Sequence, residues 1–292
     1  MLTGLYTALI TPFNQGKIDA EAFCRLIEFQ IASGVNGLVV CGTTGESAVM
    51  TQEEYASVIK LCVQTVAGRV PVIAGTGSNN TAHSIENTLL AKTLGADAAL
   101  IVTPYYNKPT QQGLFEHYRA IHDACDLPII LYNVPGRTGV NISVETIARL
   151  AQMPGVIGIK DAVPDLMRPL KIRAAVERKD FSVLSGEDAT IVAFLAHGGH
   201  GCISVTANIA PAQCARLHHF WSQKNWQEIE RFRDLLWPLH EAMFVETNPS
   251  PVKYAAALLG FGDGSVRLPL CEISEHSKEI VQAAMRSAGI IG

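Results

Sequence analysis

The feature that most constrains the fold is a series of eight short apolar runs within the first 205 residues of the 292-residue chain. Each run is rich in Val, Ile and Leu and is too continuous for a strand with one face in water. Such runs are typical of parallel strands that helices cover on both sides. Their starts lie about 21 to 34 residues apart, which is the size of one strand–helix unit. The runs cover residues 5–10, 37–41, 71–74, 98–103, 128–132, 156–160, 181–184 and 202–205.

Segments with helical spacing separate these runs. Asp19 is predicted to cap a helix that stops at Gly34, and Thr51 with Glu54 has the spacing of a capping box. Asp188 is predicted to cap a later helix in the same way. Eight strand–helix units in about 210 residues predict an α/β fold, the (β/α)8 TIM barrel. A doubly wound open sheet is the alternative.

The pattern changes after Asn208, where helical spacing continues without another convincing strand. We predict a barrel with the active site over residues 1–220 and a C-terminal helical extension packed on it over residues 221–292. No linker rich in Ser, Gly or Pro separates the two. Helices are predicted at residues 212–223, 226–244, 252–259 and 274–287.

Composition excludes several classes of protein. Hydrophobic residues make up 48% of the chain and charged residues 17%, which excludes intrinsic disorder. The net charge of −4 does not suit a nucleic-acid binder, and no apolar run reaches the roughly 18–20 residues of a membrane span. The N-terminus does not resemble a signal peptide, and the seven cysteines are scattered without a CxxC pair. We therefore expect a cytoplasmic protein with reduced thiols and no structural zinc.

Unusual polar residues follow several of the predicted strands. In a barrel of this kind the active site lies at the carboxyl ends of the strands, so these segments are the candidate site. They are residues 42–47, 103–107, 132–139, 159–161 and 185–188.

Lys160 gives the sharpest chemical signal. It ends an apolar run whose only neighbouring charge is Asp161, and strand alternation sends these two side chains to opposite faces. A lysine that points into the barrel mouth is partly desolvated, which favours the neutral amine that attacks carbonyl groups to form a Schiff base. The alternative is a lysine that extends out of the strand end into solvent or pairs with a carboxylate.

Other strand-end residues supply hydroxyls and a cation. Tyr132 ends the strand before that of Lys160, so the two side chains can meet and the phenol can move protons. Thr43 and Tyr106 offer further hydroxyls, although each tyrosine can equally be a core aromatic. Arg137 offers a fork that suits a carboxylate, or else is a solvated surface charge.

Two further motifs are interpreted as structural. Residues 75–78 form a glycine-rich turn that lacks the third glycine and the acidic residue of a dinucleotide site. His197 and His200 have no carboxylate at a spacing that would complete a metal site. We therefore predict neither a cofactor nor a metal.

Several motifs together resemble one family. They are GTTGE (42–46), YYN (105–107), YNVPGRTG (132–139), GIK (158–160), GCISVTAN (201–208) and ETNPSPVK (246–253). Their order and spacing, over essentially the whole chain, are similar to those of the dihydrodipicolinate synthase family of the N-acetylneuraminate lyase superfamily.

The resemblance implies a cofactor-free class I aldolase reaction. Lys160 would form an imine with pyruvate, whose enamine attacks L-aspartate 4-semialdehyde to give 4-hydroxy-tetrahydrodipicolinate, in the first step of the diaminopimelate route to lysine. Tyr132 would move protons through Thr43 and Tyr106. The family relationship also implies a homotetramer, a dimer of dimers in which Tyr106 crosses the dimer interface.

The same resemblance implies the binding residues. Thr44 and the backbone at Ile203 would hold the pyruvate carboxylate, and Arg137 the carboxylate of the semialdehyde. Sialic-acid lyases lack an arginine at the place of Arg137, so N-acetylneuraminate lyase is a weaker alternative, as is a 2-keto-3-deoxy sugar acid aldolase.

Feedback inhibition by lysine is expected to be weak or absent. Gln52, Tyr55 and His83 differ from the His, His and Glu of strongly inhibited relatives, and the missing Glu removes a partner for the ammonium of lysine. Other positions match that effector site: Ser47, Ala48, Asn79 and Tyr105.

The sequence disfavours two other classes of function. A barrel that only binds or regulates is disfavoured because Lys160, Tyr132, Thr43, Tyr106 and Arg137 are all present. A pyridoxal-phosphate enzyme is disfavoured because the later loops contain no convincing phosphate cradle.

Overall fold

A computed structural model describes residues 1–292, and its main sheet is a closed barrel of eight parallel strands. The predicted (β/α)8 barrel is therefore confirmed, and the open-sheet alternative is wrong. Every predicted strand is present with its bounds within two residues. The barrel strands are β1 (Gly4–Ala8), β2 (Gly37–Val40), β3 (Val72–Gly75), β4 (Ala98–Val102), β5 (Ile129–Asn133), β6 (Val156–Asp161), β7 (Ser182–Ser185) and β8 (Gly201–Ser204).

Twelve α-helices accompany the strands, and the four predicted beyond Asn208 are present. They are α1 (Ala20–Ala32), α2 (Gln52–Val66), α3 (Thr81–Thr93), α4 (Gln111–Ala124), α5 (Pro135–Thr138), α6 (Val144–Leu150), α7 (Arg168–Ala175), α8 (Ile191–Ala196), α9 (Pro211–Ser222), α10 (Trp226–Ala242), α11 (Ser250–Leu258) and α12 (Glu275–Ser287). None of these helices combines the length and hydropathy that crossing a membrane requires.

Local side-chain chemistry explains where these helices begin. The Asp19 carboxylate accepts the Ala22 amide, and Thr51 and Glu54 form the complete capping box that the sequence predicts. The predicted cap at Asp188 is wrong, because α8 begins two residues later, after Thr190, and has no side-chain cap.

The chain packs as two compact units. One contains residues 1–3 and 71–203, and the other contains residues 4–70 and 204–292. In the second unit the C-terminal helices therefore belong with the first two strand–helix units. The division at residue 220 stays a prediction.

Strand register sets the level of the candidate site within the unit of residues 71–203. Tyr132 pairs with Val102 on one side and with Lys160 on the other, and Lys160 pairs in turn with Leu184. The carboxyl ends of β4 to β7 therefore lie side by side, with Tyr132 and Lys160 on the same rung.

Candidate active site

Lys160 is a buried amine in contact with a phenol. Its residue is 6% exposed, and its Nζ lies 4.5 Å from the centroid of the Tyr132 ring. A Cβ at position 186 would lie 3.0 Å from the Lys160 Cε, so Gly186 leaves the room that the lysine side chain occupies. The predicted meeting of Lys160 and Tyr132 is thus present.

Asp161 pairs with a different cation on the other face of β6. Its Oδ2 accepts a 2.6 Å hydrogen bond from the Arg168 Nε, and its Oδ1 accepts one of 3.0 Å from the Asn133 amide. Burial raises the pKa of Asp161, while Arg168 and then Asn133 oppose that rise. The carboxylate is therefore held by Arg168 and does not neutralise Lys160, as strand alternation predicts.

Arg168 itself carries no signal in the sequence. It is the first residue of α7 and is 7% exposed, and its Nη2 also donates to the Ile142 carbonyl at 3.1 Å. A single arginine at a helix start usually lies at the surface, so only the tertiary structure identifies it as part of this buried network.

Tyr106 and Arg137 are exposed. Tyr106 has a left-handed backbone with φ of 70° and a relative exposure of 88%, so it is not brought against Lys160 within the single chain. Arg137 lies in the short helix α5, whose first turn is fixed by Pro135 and by a hydrogen bond from the Arg137 amide to the Val134 carbonyl. Both side chains are accessible to a ligand or to another chain.

The loop after β2 carries Thr43 and Thr44 within the other unit. The Glu46 amide donates to the Thr43 carbonyl at 3.1 Å, which closes a tight turn. Thr43 is exposed, whereas Thr44 is buried and its hydroxyl is 3.1 Å from the Asn248 amide nitrogen. One threonine is therefore free to reach a ligand, and the orientation of the other is set by Asn248.

A buried ion pair lies under the same loop. The Lys253 Nζ is 2.5 Å from the Glu46 Oε1, both side chains are 1% exposed, and the ammonium lies 3.6 Å from the centroid of the Phe13 ring. Burial lowers the pKa of Lys253 to about 8, while Glu46 opposes that decrease.

Lys253 has the lowered pKa that is typical of a nucleophilic lysine, but its geometry does not suit that role. Its amine is enclosed and already bonded to a carboxylate. Glu46 and Lys253 lie in two separate sequence motifs, and neither motif indicates that the two residues pair.

The remaining predicted residues have plain structural settings. Ile203 is fully buried in the middle of β8. Gly77 is required because a Cβ there would overlap the Val102 amide nitrogen, which gives the glycine-rich turn a packing role. No group of three or more His, Cys, Asp or Glu side chains is arranged to hold a metal ion.

Comparisons of the sequence and of the structure with known proteins identify the same family. A sequence profile of the Dihydrodipicolinate synthetase family matches residues 1–288. The 4-hydroxy-tetrahydrodipicolinate synthase of Rhodospirillum centenum is 56% identical over 291 residues, which cover 100% of both chains.

Two solved structures are similar over nearly the whole chain. The chloride-inhibited dihydrodipicolinate synthase of Acinetobacter baumannii, complexed with pyruvate, is 44% identical, with a TM-score of 0.96 and 100% coverage of both chains. The enzyme of Cyanidioschyzon merolae with lysine bound is 38% identical, with a TM-score of 0.96 and 99% coverage of both chains.

Proposed function

Because the chain belongs to the dihydrodipicolinate synthetase family, we propose that it catalyses the reaction for which its curated relatives are named. It is a lyase that condenses pyruvate with L-aspartate 4-semialdehyde to give 4-hydroxy-tetrahydrodipicolinate, at the start of the diaminopimelate route to lysine. The observation that carries this proposal is the buried Lys160 amine against the Tyr132 ring.

The proposed reaction uses the Lys160 amine and the neighbouring Tyr132, whose ring centroid lies 4.5 Å from the Lys160 Nζ. The Lys160 amine attacks the C2 carbonyl of pyruvate, and loss of water gives the imine. Removal of a methyl proton gives the enamine, which attacks the aldehyde carbon of the semialdehyde. The amino group of the adduct then attacks the imine carbon, which closes the ring and releases Lys160. In this proposal Tyr132 donates and accepts the protons of imine formation and release.

Hydroxyls and amides complete the site in this proposal. Thr43 and Tyr106 relay protons from Tyr132, and Thr44 with the backbone at Ile203 holds the pyruvate carboxylate. Tyr106 reaches the site of a partner subunit in a homotetramer, and its 88% exposure in the single chain supports this assignment. The mechanism requires no cofactor. A reducing, cytoplasmic setting is supported by the seven cysteines, none of which forms a disulfide and five of which are buried.

The direct test is a comparison of substrates. Purified protein is expected to consume pyruvate only when aspartate semialdehyde is present, and to cleave N-acetylneuraminate and 2-keto-3-deoxy sugar acids far more slowly. Preferential cleavage of either sugar acid would identify the protein as the corresponding aldolase and would contradict this proposal.

Arg137→Ala is expected to weaken binding of the semialdehyde selectively. The variant loses a charge-assisted, bidentate hydrogen bond to the substrate carboxylate, so the KM for the semialdehyde should rise by about 10- to 100-fold. The KM for pyruvate should change little, and steady-state kinetics with each substrate varied in turn measures both.

Arg231→Ala is the matched control, because Arg231 is an exposed arginine on α10 that pairs only with Glu228 on its own helix. An equal rise in both KM values for Arg137→Ala would contradict the assignment of Arg137 to the semialdehyde.

Lysine is expected to inhibit weakly or not at all. His83 stands where inhibited relatives have a glutamate, and its ring is 3.8 Å from the Glu86 carboxylate on the same helix. Tyr55 is buried in α2, with its pKa raised by burial. Initial rates measured against lysine concentration are the test, and half-inhibition well below about 1 mM, a binding energy beyond roughly 4 kcal/mol, would show the prediction to be wrong.

A further inference from the structure

The C-terminal extension holds the loop after β2 at two points. Asn248, just before α11, contacts the Thr44 hydroxyl, and Lys253, within α11, bonds to Glu46. The two contacts lie at either end of the segment from Thr44 to Glu46. One short stretch of the extension therefore fixes both the side chain of Thr44 and the end of its loop.

The loop has a costly backbone that needs such support. Cys41 and Glu46, at its two ends, have φ of 55° and 57°. Residues with side chains rarely adopt this left-handed region, and such strain persists only where the surroundings hold it. Gly45 is crowded as well, since a Cβ there would lie 3.2 Å from the Leu9 carbonyl oxygen.

Glu46 is held through both of its carboxylate oxygens. Oε1 takes the Lys253 ammonium, and Oε2 accepts the Arg267 backbone amide at 3.0 Å. Arg267 in turn donates to the Val49 carbonyl at 3.1 Å and forms a two-pronged pair with Glu54. The carboxylate therefore has one fixed position, and with it the loop has one conformation.

Stability alone does not account for a buried pair of this kind. Two charges with 1% exposure lose nearly all of their hydration, and apolar residues of similar size are often equally stable or more so in such places. What an ion pair adds is a defined geometry, here at the end of a loop that carries a candidate binding residue.

We propose that the Glu46–Lys253 pair, together with Asn248, positions Thr44 to bind the carboxylate of pyruvate, so that the C-terminal extension takes part in substrate binding. The proposal rests on the proposed function. In this assignment Glu46, Lys253 and Asn248 are positioning residues, since their contacts reach the substrate only through Thr44.

The test separates positioning from folding by removing both charges together. Glu46→Gln and Lys253→Met each leave one buried charge unpaired, and either can lose folded protein. The double variant Glu46→Gln/Lys253→Met leaves no unpaired charge, keeps the acceptor for the Arg267 amide and keeps an apolar side chain against Phe13. Its thermal unfolding midpoint is expected to lie close to that of the unmodified protein.

In the double variant the KM for pyruvate is expected to rise about tenfold or more, because a shift of the Thr44 hydroxyl by a fraction of an ångström weakens carboxylate binding. At saturating pyruvate, kcat and the KM for the semialdehyde should stay close to their original values. Asn248→Ala, which leaves the ion pair intact, should raise the pyruvate KM as well and is the second variant.

Lys278→Met is the matched control, since Lys278 lies on α12, is partly buried, forms its ion pairs with Glu272 and Glu275, and has its ammonium 5.7 Å from the centroid of the Tyr254 ring. A double variant and Asn248→Ala that both bind pyruvate normally would overturn the inference while leaving the proposed function intact. Failure of the unmodified protein to form any adduct with pyruvate would instead defeat the proposed function, and the inference with it.

Discussion

Lys160→Met is expected to abolish imine formation with pyruvate and to lower kcat by at least about 10⁴-fold, the scale of losing a covalent nucleophile. The side chain keeps its length and its contact with the Tyr132 ring, so the barrel should fold normally. What disappears is the amine that makes the covalent bond. The other buried lysine, Lys253, cannot take over, because its amine is enclosed and bonded to Glu46.

Trapping identifies the reacting residue directly. Protein incubated with pyruvate and borohydride should gain one reduced adduct, and peptide mass spectrometry should place it on Lys160. Lys171→Met is the control, since Lys171 pairs with Asp165 on the surface and is 56% exposed. That variant should trap pyruvate normally. An adduct on any other lysine, or one that persists in Lys160→Met, would contradict the mechanism.

The barrel was predictable because burial on both sides of a strand leaves a local trace. Each strand is a short apolar run, and the spacing between runs is that of one strand–helix unit. The position of Lys160 beside Tyr132 was predictable for the same reason. Lys160 is a charge at the end of one apolar run, and the preceding run ends in Tyr132. Both signals are local in sequence, so one chain suffices to read them.

The residues that hold the loop of Thr44 in place have no such local signal in the sequence. Lys253 and Glu46 are 207 residues apart in the chain, and Asn248 and Thr44 are 204 apart. Charge patterning along the chain cannot match partners over that distance, since each of these residues has many equally plausible partners. The prediction that Asp188 caps α8 was wrong for a similar reason. Two residues separate Asp188 from the start of α8, and Asp188 is buried in the folded chain.

The Asp161–Arg168 pair is expected to be the most sensitive point for stability. Asp161→Ala leaves the Arg168 guanidinium buried and unable to lose its proton, which should lower the free energy of unfolding by about 3–5 kcal/mol. Arg168→Met leaves a carboxyl that can take up a proton, so its cost should be smaller. The double variant Asp161→Asn/Arg168→Met has no unpaired charge and should be more stable than Asp161→Ala.

The asymmetry between the two single variants should depend on pH. Burial already raises the pKa of Asp161, and Arg168 is the largest influence that opposes this rise. In Arg168→Met the folded state therefore binds the Asp161 proton more tightly than the unfolded state does. Stability of this variant should fall as pH rises through the folded pKa and should recover below it, towards the ordinary carboxyl value.

Denaturant unfolding at neutral pH and at mildly acidic pH measures these differences. Asp161→Ala keeps its full defect at both pH values, because Arg168 stays charged, whereas Arg168→Met should recover part of its stability in acid. Lys171→Met removes a neighbouring cation from the same helix and should follow the unmodified protein at both pH values. Equal, pH-independent losses in the two single variants would mean that lost packing, and not the unpaired charge, sets the stability of the strand ends that carry Tyr132 and Lys160.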